Sequence, residues 1–237
     1  MDKALGTAVS TIPPSKKAAA RVALIDIKES ARRILSDCFR QFSIETMVMT
    51  GDVQDRLQKE KFEACVVKLS PAAEALMGAA RTSTSNSRIV IYGLGGSAQE
   101  AMRYSKYGIN AVFNEPLERP AALKLVRATQ MLVLHEFRRY VRIPVITEIS
   151  VVTGDSRRFT ATSQEISSGG MSMRSAEDML PGQSVEISFA LLTLPRIWVR
   201  GVVSWLKPHN KSFGIRFDMH DERRLRIKEW IDAYLEG

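Results

Sequence analysis

The first half of the chain alternates between short apolar runs and stretches whose apolar residues recur every three to four positions. The short runs lie at residues 22–25, 45–49, 64–67, 88–92 and 108–113. Such runs are typical of strands buried on both faces, and the longer spacing is typical of amphipathic helices. Five strands alternating with helices, the last running from about residue 119 towards residue 135, predict an α/β fold with a doubly wound parallel sheet.

After residue 135 the pattern changes to a period of two. Alternating or apolar segments occupy residues 145–152, 158–162, 171–173, 182–189, 197–206 and 212–217, with turn signals such as Thr153-Gly154-Asp155 between them. Short strands separated by turns predict a small antiparallel β-barrel. A final helix is predicted after Asp221, and we expect its apolar side to pack on the barrel mouth rather than on a membrane surface.

The change of pattern divides the chain into predicted domains at residues 21–135 and 136–237. Residues 1–20 hold Ser, Thr, Pro, Lys and Ala without a continuous apolar core, so they predict a disordered tail and no secretory signal. No segment reaches the ~18–20 apolar residues of a membrane span. Cys38 and Cys65 lie in separate apolar patterns, which predicts reduced, buried thiols in a cytoplasmic protein.

The charge of the chain is diffuse. The 237 residues carry a net charge of +8, but from Glu136 onwards 15 Lys and Arg residues face 13 Asp and Glu residues. Part of the excess lies in the predicted tail. Because a nucleic-acid-binding protein would show a basic stripe on one face, we expect no binding to DNA or RNA.

Catalytic and metal-binding patterns are not evident in the sequence. His135, His209 and His220 are widely separated, and no Ser/His/Asp or Cys/His arrangement is suggested. Gly93-Leu94-Gly95-Gly96-Ser97 follows a predicted strand but lacks the Walker lysine and the full dinucleotide fingerprint, so it is interpreted as a flexible turn. We therefore expect no enzyme activity, no metal and no cofactor.

The first half resembles the receiver domain of two-component response regulators over about residues 22–133. The resemblance rests on the five strand–helix units and on Leu24-Ile25-Asp26, Lys106-Tyr107-Gly108-Ile109-Asn110 and Glu115-Pro116. The family's functional residues are missing. Ile27 stands in place of the second acid beside Asp26, and Lys68 stands at the phosphoacceptor position. Gly93 and Glu115 stand where the family has its switch Ser/Thr and its lysine.

These replacements predict a pseudo-receiver domain that cannot be phosphorylated. Without the aspartate no carboxylate can accept a phosphoryl group, and without the acid pair Mg²⁺ lacks its oxygen ligands. We expect the Lys68 ammonium to pair instead with Asp26 or Glu115. The alternative is a regulator controlled by phosphorylation, and Lys68 at the acceptor position is evidence against it.

Two short segments of the second half carry candidate chemistry. Phe137-Arg138-Arg139-Tyr140-Val141-Arg142 is a cluster of guanidinium groups, and Glu165-Ile166-Ser167-Ser168-Gly169-Gly170 is a polar, glycine-bearing turn. Arginine forks match phosphate oxygens and the O6/N7 edge of guanine. Arg138 and Arg142 share one side if that turn stays helical, and otherwise the ligand could order an extended segment. A solvated, arginine-rich linker is the alternative.

These segments resemble the RxxxR and (D/N)xSxxG motifs of PilZ domains, receptors for the bacterial second messenger cyclic di-GMP. The resemblance covers about residues 136–237. It implies that Arg138 and Arg142 contact guanine edges and phosphates, with Arg139 nearby. It also implies that the turn, with Ser167, Gly169 and Gly170, faces the ligand.

Two departures from the family pattern leave questions open. Glu165 is one methylene longer than the expected Asp or Asn, which favours a lower affinity although the carboxylate could still accept from guanine N1 and N2. Phe137 precedes the motif where some members have a further arginine, so the ligand stoichiometry stays open.

The sequence therefore predicts a non-enzymatic cytoplasmic receptor for cyclic di-GMP. We expect binding to rearrange the domains and the receiver-like domain to contact a protein partner; a homodimer is possible. The alternative is a PilZ and pseudo-receiver scaffold that binds no ligand and acts only through protein interactions.

Overall fold

The computed structural model describes residues 10–12, 19–96, 98–207, 209 and 211–236. The chain forms two compact units. One is Ala18–Phe137, and the other is Arg138–Gly237 together with the N-terminal segment. Among the described residues, no helix is both long enough and apolar enough to cross a membrane.

Among its described residues, the first unit contains five strands, five α-helices and a short 3-10 helix at Ser105–Tyr107. The strands are β1 (Arg21–Ile25), β2 (Glu45–Met49), β3 (Ala64–Lys68), β4 (Val90–Leu94) and β5 (Ile109–Phe113). The helices are α1 (Glu29–Arg40), α2 (Val53–Lys59), α3 (Ala73–Thr82), α4 (Ala98–Arg103) and α5 (Arg119–Tyr140), whose last residues pass into the second unit. All strands are parallel, in the order β2-β1-β3-β4-β5. This is the flavodoxin-like doubly wound order, so the predicted α/β fold is confirmed.

Burial explains why these segments form the unit. The central strands β3 and β4 are buried almost along their whole length, as expected when helices cover both faces of a sheet. Both cysteines are buried and unpaired, which confirms the buried thiols. Complete burial of Cys65 raises the pKa of its thiol to about 12, because the thiolate would lose its hydration.

The second unit is a closed antiparallel barrel with a C-terminal helix. Its strands are β6 (Ile143–Pro144), β7 (Glu148–Thr153), β8 (Arg158–Ser167), β9 (Gly170–Arg174), β10 (Ser184–Leu191), β11 (Leu194–Lys207) and β12 (Ser212–Phe217). The order β8-β7-β10-β11-β12-β9 closes because β9 also pairs with β8. The short β6 pairs with Glu165 and Ile166 of β8, on the side of that strand that faces β7 and beyond the residues that pair with β7. The predicted barrel is thereby confirmed.

The last helix, α6 (Arg224–Glu236), packs on this barrel. It buries Ile227, Trp230 and Ile231, and the Trp230 indole N–H donates to the Leu192 carbonyl at 2.8 Å. The predicted C-terminal helix is therefore present and packs on the barrel through its apolar side.

The N-terminal segment is described only at residues 10–12 and 19–20. Thr11 exchanges two backbone hydrogen bonds of 2.9 Å with Ile146, in the barrel unit. The rest of the predicted tail lies outside the described residues. The domain boundaries drawn from the sequence stay predictions.

Candidate functional site

The backbone brings the arginine segment beside the polar turn. Strand β6 pairs with β8 so that Ile143 lies opposite Ile166 and Pro144 opposite Glu165. Arg142 directly precedes β6 and therefore lies along the end of β8. On the other side, β8 and β9 form a hairpin whose two-residue turn is Ser168-Gly169, with Ser167 opposite Gly170. The two segments singled out from the sequence thus meet at one end of β8.

A cleft of about 280 Å³ lies where they meet. Five of the seven predicted site residues line it: Arg142, Glu165, Ser167, Gly169 and Gly170. The remaining wall comes from neighbouring strands and includes Ser172 of β9, Ser204 and Trp205 of β11, and Arg216 of β12. The cleft is a feature of the second unit alone.

Arg142 and Glu165 form a loose ion pair in this cleft. Arg142 Nη1 lies 3.9 Å from Glu165 Oε2, and the side chains are 62% and 48% exposed. Exposed pairs of this kind contribute only about 0–1 kcal/mol. Breaking this ion pair therefore costs little free energy, so both side chains can contact a ligand instead.

Ser167 and Gly170 also hold the hairpin in shape. The Ser167 hydroxyl donates to the Gly170 carbonyl at 3.1 Å. A Cβ atom on Gly170 would lie 2.2 Å from the Ile215 carbonyl oxygen, which is closer than any real contact. The glycine is needed here because β12 passes close to it.

Trp205 and Arg216 are lining residues that the sequence analysis did not assign to the site. The indole of Trp205 lies against Gly214, where a Cβ atom would come 2.1 Å from indole Nε1. Gly214 of β12 pairs with Trp205 of β11 on one side and with Ser172 of β9 on the other. The indole ring therefore lies over β12, in the middle of the cleft wall that these three strands form. Arg216 is exposed and forms no ion pair with any described residue. Alternation along β12 was the available signal, since it places Gly214 and Arg216 on one face.

Arg138 and Arg139 do not line the cleft. The helix α5 ends at Tyr140, so the turn does not stay helical through Arg142. Arg138 instead pairs with two carboxylates of α6, with Nη2 at 3.0 Å from Glu236 and Nε at 3.6 Å from Asp232. The guanidinium carbon of Arg139 lies 5.7 Å from the centroid of the Tyr140 ring.

The expected ion pair of the receiver-like unit is not formed. Lys68 ends β3, but it forms no ion pair with Asp26, Glu115 or any other described residue. This hypothesis was wrong because the sequence gives the order of the strand ends but not the reach of their side chains. Within the described part of the chain, no group of three or more His, Cys, Asp or Glu residues could hold a metal ion.

The C-terminal part of the chain matches a known protein family by sequence. Residues 136–237 match the sequence model of the PilZ domain family. A search of curated proteins found no match.

Solved structures resemble each half separately. A receiver domain of a sensor histidine kinase from Pseudomonas aeruginosa aligns with 49% of this chain and 98% of its own, at 15% identity and a TM-score of 0.41. The chemotaxis response regulator CheY4 of Vibrio cholerae aligns with 47% and 98%, at 18% identity and 0.41. The PilZ domain of CeSA from a cellulose-synthesizing bacterium aligns with 41% and 96%, at 15% identity and 0.32.

Proposed function

We propose that this chain, in which residues 136–237 are a PilZ domain and follow a receiver-like domain, is a non-enzymatic receptor for cyclic di-GMP. The main support for this proposal is that one cleft of the PilZ barrel is lined by residues of both motifs: Arg142, Glu165, Ser167, Gly169 and Gly170. The two motifs lie more than twenty positions apart in the sequence.

The chemistry of the cleft suits one half of such a ligand. Arg142 offers a planar fork for guanine O6/N7 or for a phosphate. The Glu165 carboxylate can accept from guanine N1 and N2. Trp205 supplies an aromatic ring on which a base can stack. Arg216, which forms no ion pair within the described part of the chain, supplies a second positive charge.

The size of the cleft indicates that part of the ligand must be held elsewhere. Sites for drug-sized ligands are usually about 300–1,000 Å³. A cyclic dinucleotide carries two bases and two phosphates, so we assign one base and one phosphate to the cleft of 280 Å³. Arg138 and Arg139 lie three or four residues before Arg142, and we assign them to the remaining base and phosphate.

This division of the ligand gives a mechanism. For Arg138 and Arg139 to reach the ligand, the segment 137–144 must close onto it. Its first four residues are the end of α5, which leaves the receiver-like unit, and they must move towards the cleft where Arg142 and β6 already lie. Ligand capture therefore changes the arrangement of the two units and presents the receiver-like unit to a protein partner. The chain acts in the cytoplasm, where the nucleotide is made.

Titration calorimetry with cyclic di-GMP tests the proposal. We expect wild-type protein to bind and Arg142→Ala to bind at least about tenfold more weakly, because a charged hydrogen bond contributes about 1.5–3 kcal/mol. Arg158→Ala is the matched control. Like Arg142, Arg158 is an exposed arginine, but it begins β8 and does not line the cleft, so its removal should leave affinity unchanged.

The titration also decides between the receptor and a scaffold that binds only proteins. The scaffold is favoured by one observation, that Arg138 and Arg142 already have carboxylate partners. A wild-type protein that folds normally and releases no heat of binding would refute the receptor and leave the scaffold.

A further inference from the structure

Two carboxylates near the end of α6 converge on Arg138. Asp232 and Glu236 are four residues apart, hence on one face of the helix. Glu236 Oε1 lies 3.0 Å from Arg138 Nη2, and Asp232 Oδ1 lies 3.6 Å from Nε. Together they occupy the Nε/Nη2 edge of the guanidinium, which is the edge that forms forked hydrogen bonds with an anion.

The charge distribution of α6 explains why this contact forms. The C-terminal end of a helix carries a partial negative charge and favours cations. The last turn of α6 contains no basic residue, and it carries Glu236. The positive charge comes from Arg138, outside the helix. Arg138 therefore compensates an unfavourable helix end, which is a role independent of any ligand.

We propose that Asp232 and Glu236 are positioning residues that hold Arg138 away from the ligand cleft and compete with cyclic di-GMP for it. The inference rests on the proposed function and deepens it. The ligand offers phosphate and guanine acceptors for the same guanidinium edge. Arg138 can bind either the ligand or the carboxylates of α6, so ligand binding breaks its ion pairs with α6. The end of α6 then loses its compensating cation.

The geometry sets the size of this competition. The two contacts are split between separate carboxylates, and neither carboxylate forms a bidentate pair with Arg138. Arg138 is 30% exposed, so water and salt screen the contacts. The competition should therefore lower affinity by a modest factor while leaving the site functional.

The test is a titration of cyclic di-GMP into wild type, Glu236→Gln and the double variant Asp232→Asn/Glu236→Gln. We expect the double variant to bind about three- to tenfold more tightly than wild type. Asp232→Asn also frees Lys228, which lies 2.8 Å from Asp232, so Glu236→Gln alone shows the effect without that change. In an Arg138→Ala background the same substitutions should raise affinity no more than an equal change of charge elsewhere on the protein, because the residue through which they act is gone.

The matched control is Glu222→Gln/Glu229→Gln. Both residues are exposed in or beside α6, and neither forms an ion pair with any described residue. The control changes net charge equally, so it measures how much of any gain in affinity comes from the general electrostatic attraction of the anion. Thermal unfolding of each variant checks that the barrel remains folded.

The outcomes separate the two proposals. If wild type binds and the double variant binds no more tightly than the control, the competition is refuted and the receptor stands. If the Arg138→Ala background preserves the gain, the carboxylates do not act through Arg138 and the inference fails. If neither wild type nor the double variant binds, the proposed function falls, and the inference falls with it.

Discussion

Gly170 shows how a single residue of a binding motif can serve the fold. Its Cα faces the backbone of β12, and an added Cβ would meet the Ile215 carbonyl oxygen at 2.2 Å. Backbone cannot rotate away as a side chain can. We predict that Gly170→Ala destabilises the barrel by about 1–3 kcal/mol or more, as overpacking does.

The control for this substitution is its neighbour. A Cβ on Gly169 would meet nothing within 4 Å, so Gly169→Ala should leave stability nearly unchanged. The tryptophans Trp198, Trp205 and Trp230 all lie in the barrel unit, so their fluorescence during denaturant unfolding reports on this unit. Equal unfolding midpoints for the two variants would contradict the argument.

The residues with distinctive chemistry could be identified from the sequence, but the side chains that they contact could not. Arg142 and Glu165 could be placed together because both motifs were visible. Trp205 was not assigned, because its position in the cleft depends on strand pairing and on the missing side chain of Gly214. Arg138 was expected at the ligand, but its contact with α6 joins residues almost a hundred positions apart.

At the scale of elements, the turn before α6 is fixed by one buried carboxylate. Asp221 accepts hydrogen bonds from the side chain and the backbone N–H of Arg223, and from the backbone N–H of Arg200 on β11. The Arg223 guanidinium, followed by these backbone donors, holds the pKa of Asp221 well below its usual range. Asp221 thereby fastens the start of the helix to the barrel.

This depressed pKa predicts a pH-dependent contribution to stability. A carboxyl group whose pKa is lower in the folded state stabilises the fold above its unfolded pKa of about 3.9, and the stabilisation is lost as pH falls below that value. We expect Asp221→Asn to lower the stability of the barrel by about 2 kcal/mol at pH 7. The difference from wild type should shrink between about pH 5 and pH 2.

Tryptophan fluorescence in denaturant, repeated across this pH range, measures the effect. Asp178→Asn is the control, because Asp178 is exposed and forms no side-chain hydrogen bond with any described residue. A difference between wild type and Asp221→Asn that is constant from pH 7 to pH 2 would rule out the carboxylate as its source.

Elements with a strong period were predictable, and short ones were not. Burial on both faces made the strands of the parallel sheet evident, and alternation made the six barrel strands evident. The two-residue β6 has no period of its own, because its pairing with β8 defines it. Yet β6 is what brings Arg142 to the cleft. The end of α5 at Tyr140 could not be predicted from the sequence either, because arginine and tyrosine continue a helix as readily as they end it.

At the scale of the whole molecule, the receiver-like unit lacks the acidic residues that the sequence comparison with receivers led us to look for. Lys68 ends β3, where the family places its aspartate, and Ile27 stands beside Asp26. We predict that acetyl phosphate with Mg²⁺ leaves the protein unlabelled, because no carboxylate lies at the acceptor position. Intact-protein mass spectrometry checks this, with an active receiver domain as positive control. A gain of one phosphoryl group would overturn the pseudo-receiver assignment.

In the proposed mechanism, the signal enters at the PilZ unit and leaves through α5. Glu136 lies at the end of the part of α5 that belongs to the receiver-like unit, and it is 4% exposed. Lys61 Nζ lies 2.8 Å from Glu136 Oε1 and also donates to the Ser85 carbonyl. This buried pair fastens α5 to its own unit two residues before Arg138. We therefore expect movement of Arg138 to reach the receiver-like unit as long as the pair holds.

We predict that cyclic di-GMP changes the small-angle scattering profile of wild type, and that Lys61→Met abolishes or reduces this change while calorimetric binding persists. Removing the lysine from a buried pair costs about 3–5 kcal/mol, so the end of α5 loosens from its unit before the sheet unfolds. Lys59→Met is the control, because its pair with Asp55 is exposed and contributes little. Identical profiles of wild type with and without bound ligand would refute transmission through α5. A full change in Lys61→Met would show that transmission does not need the pair.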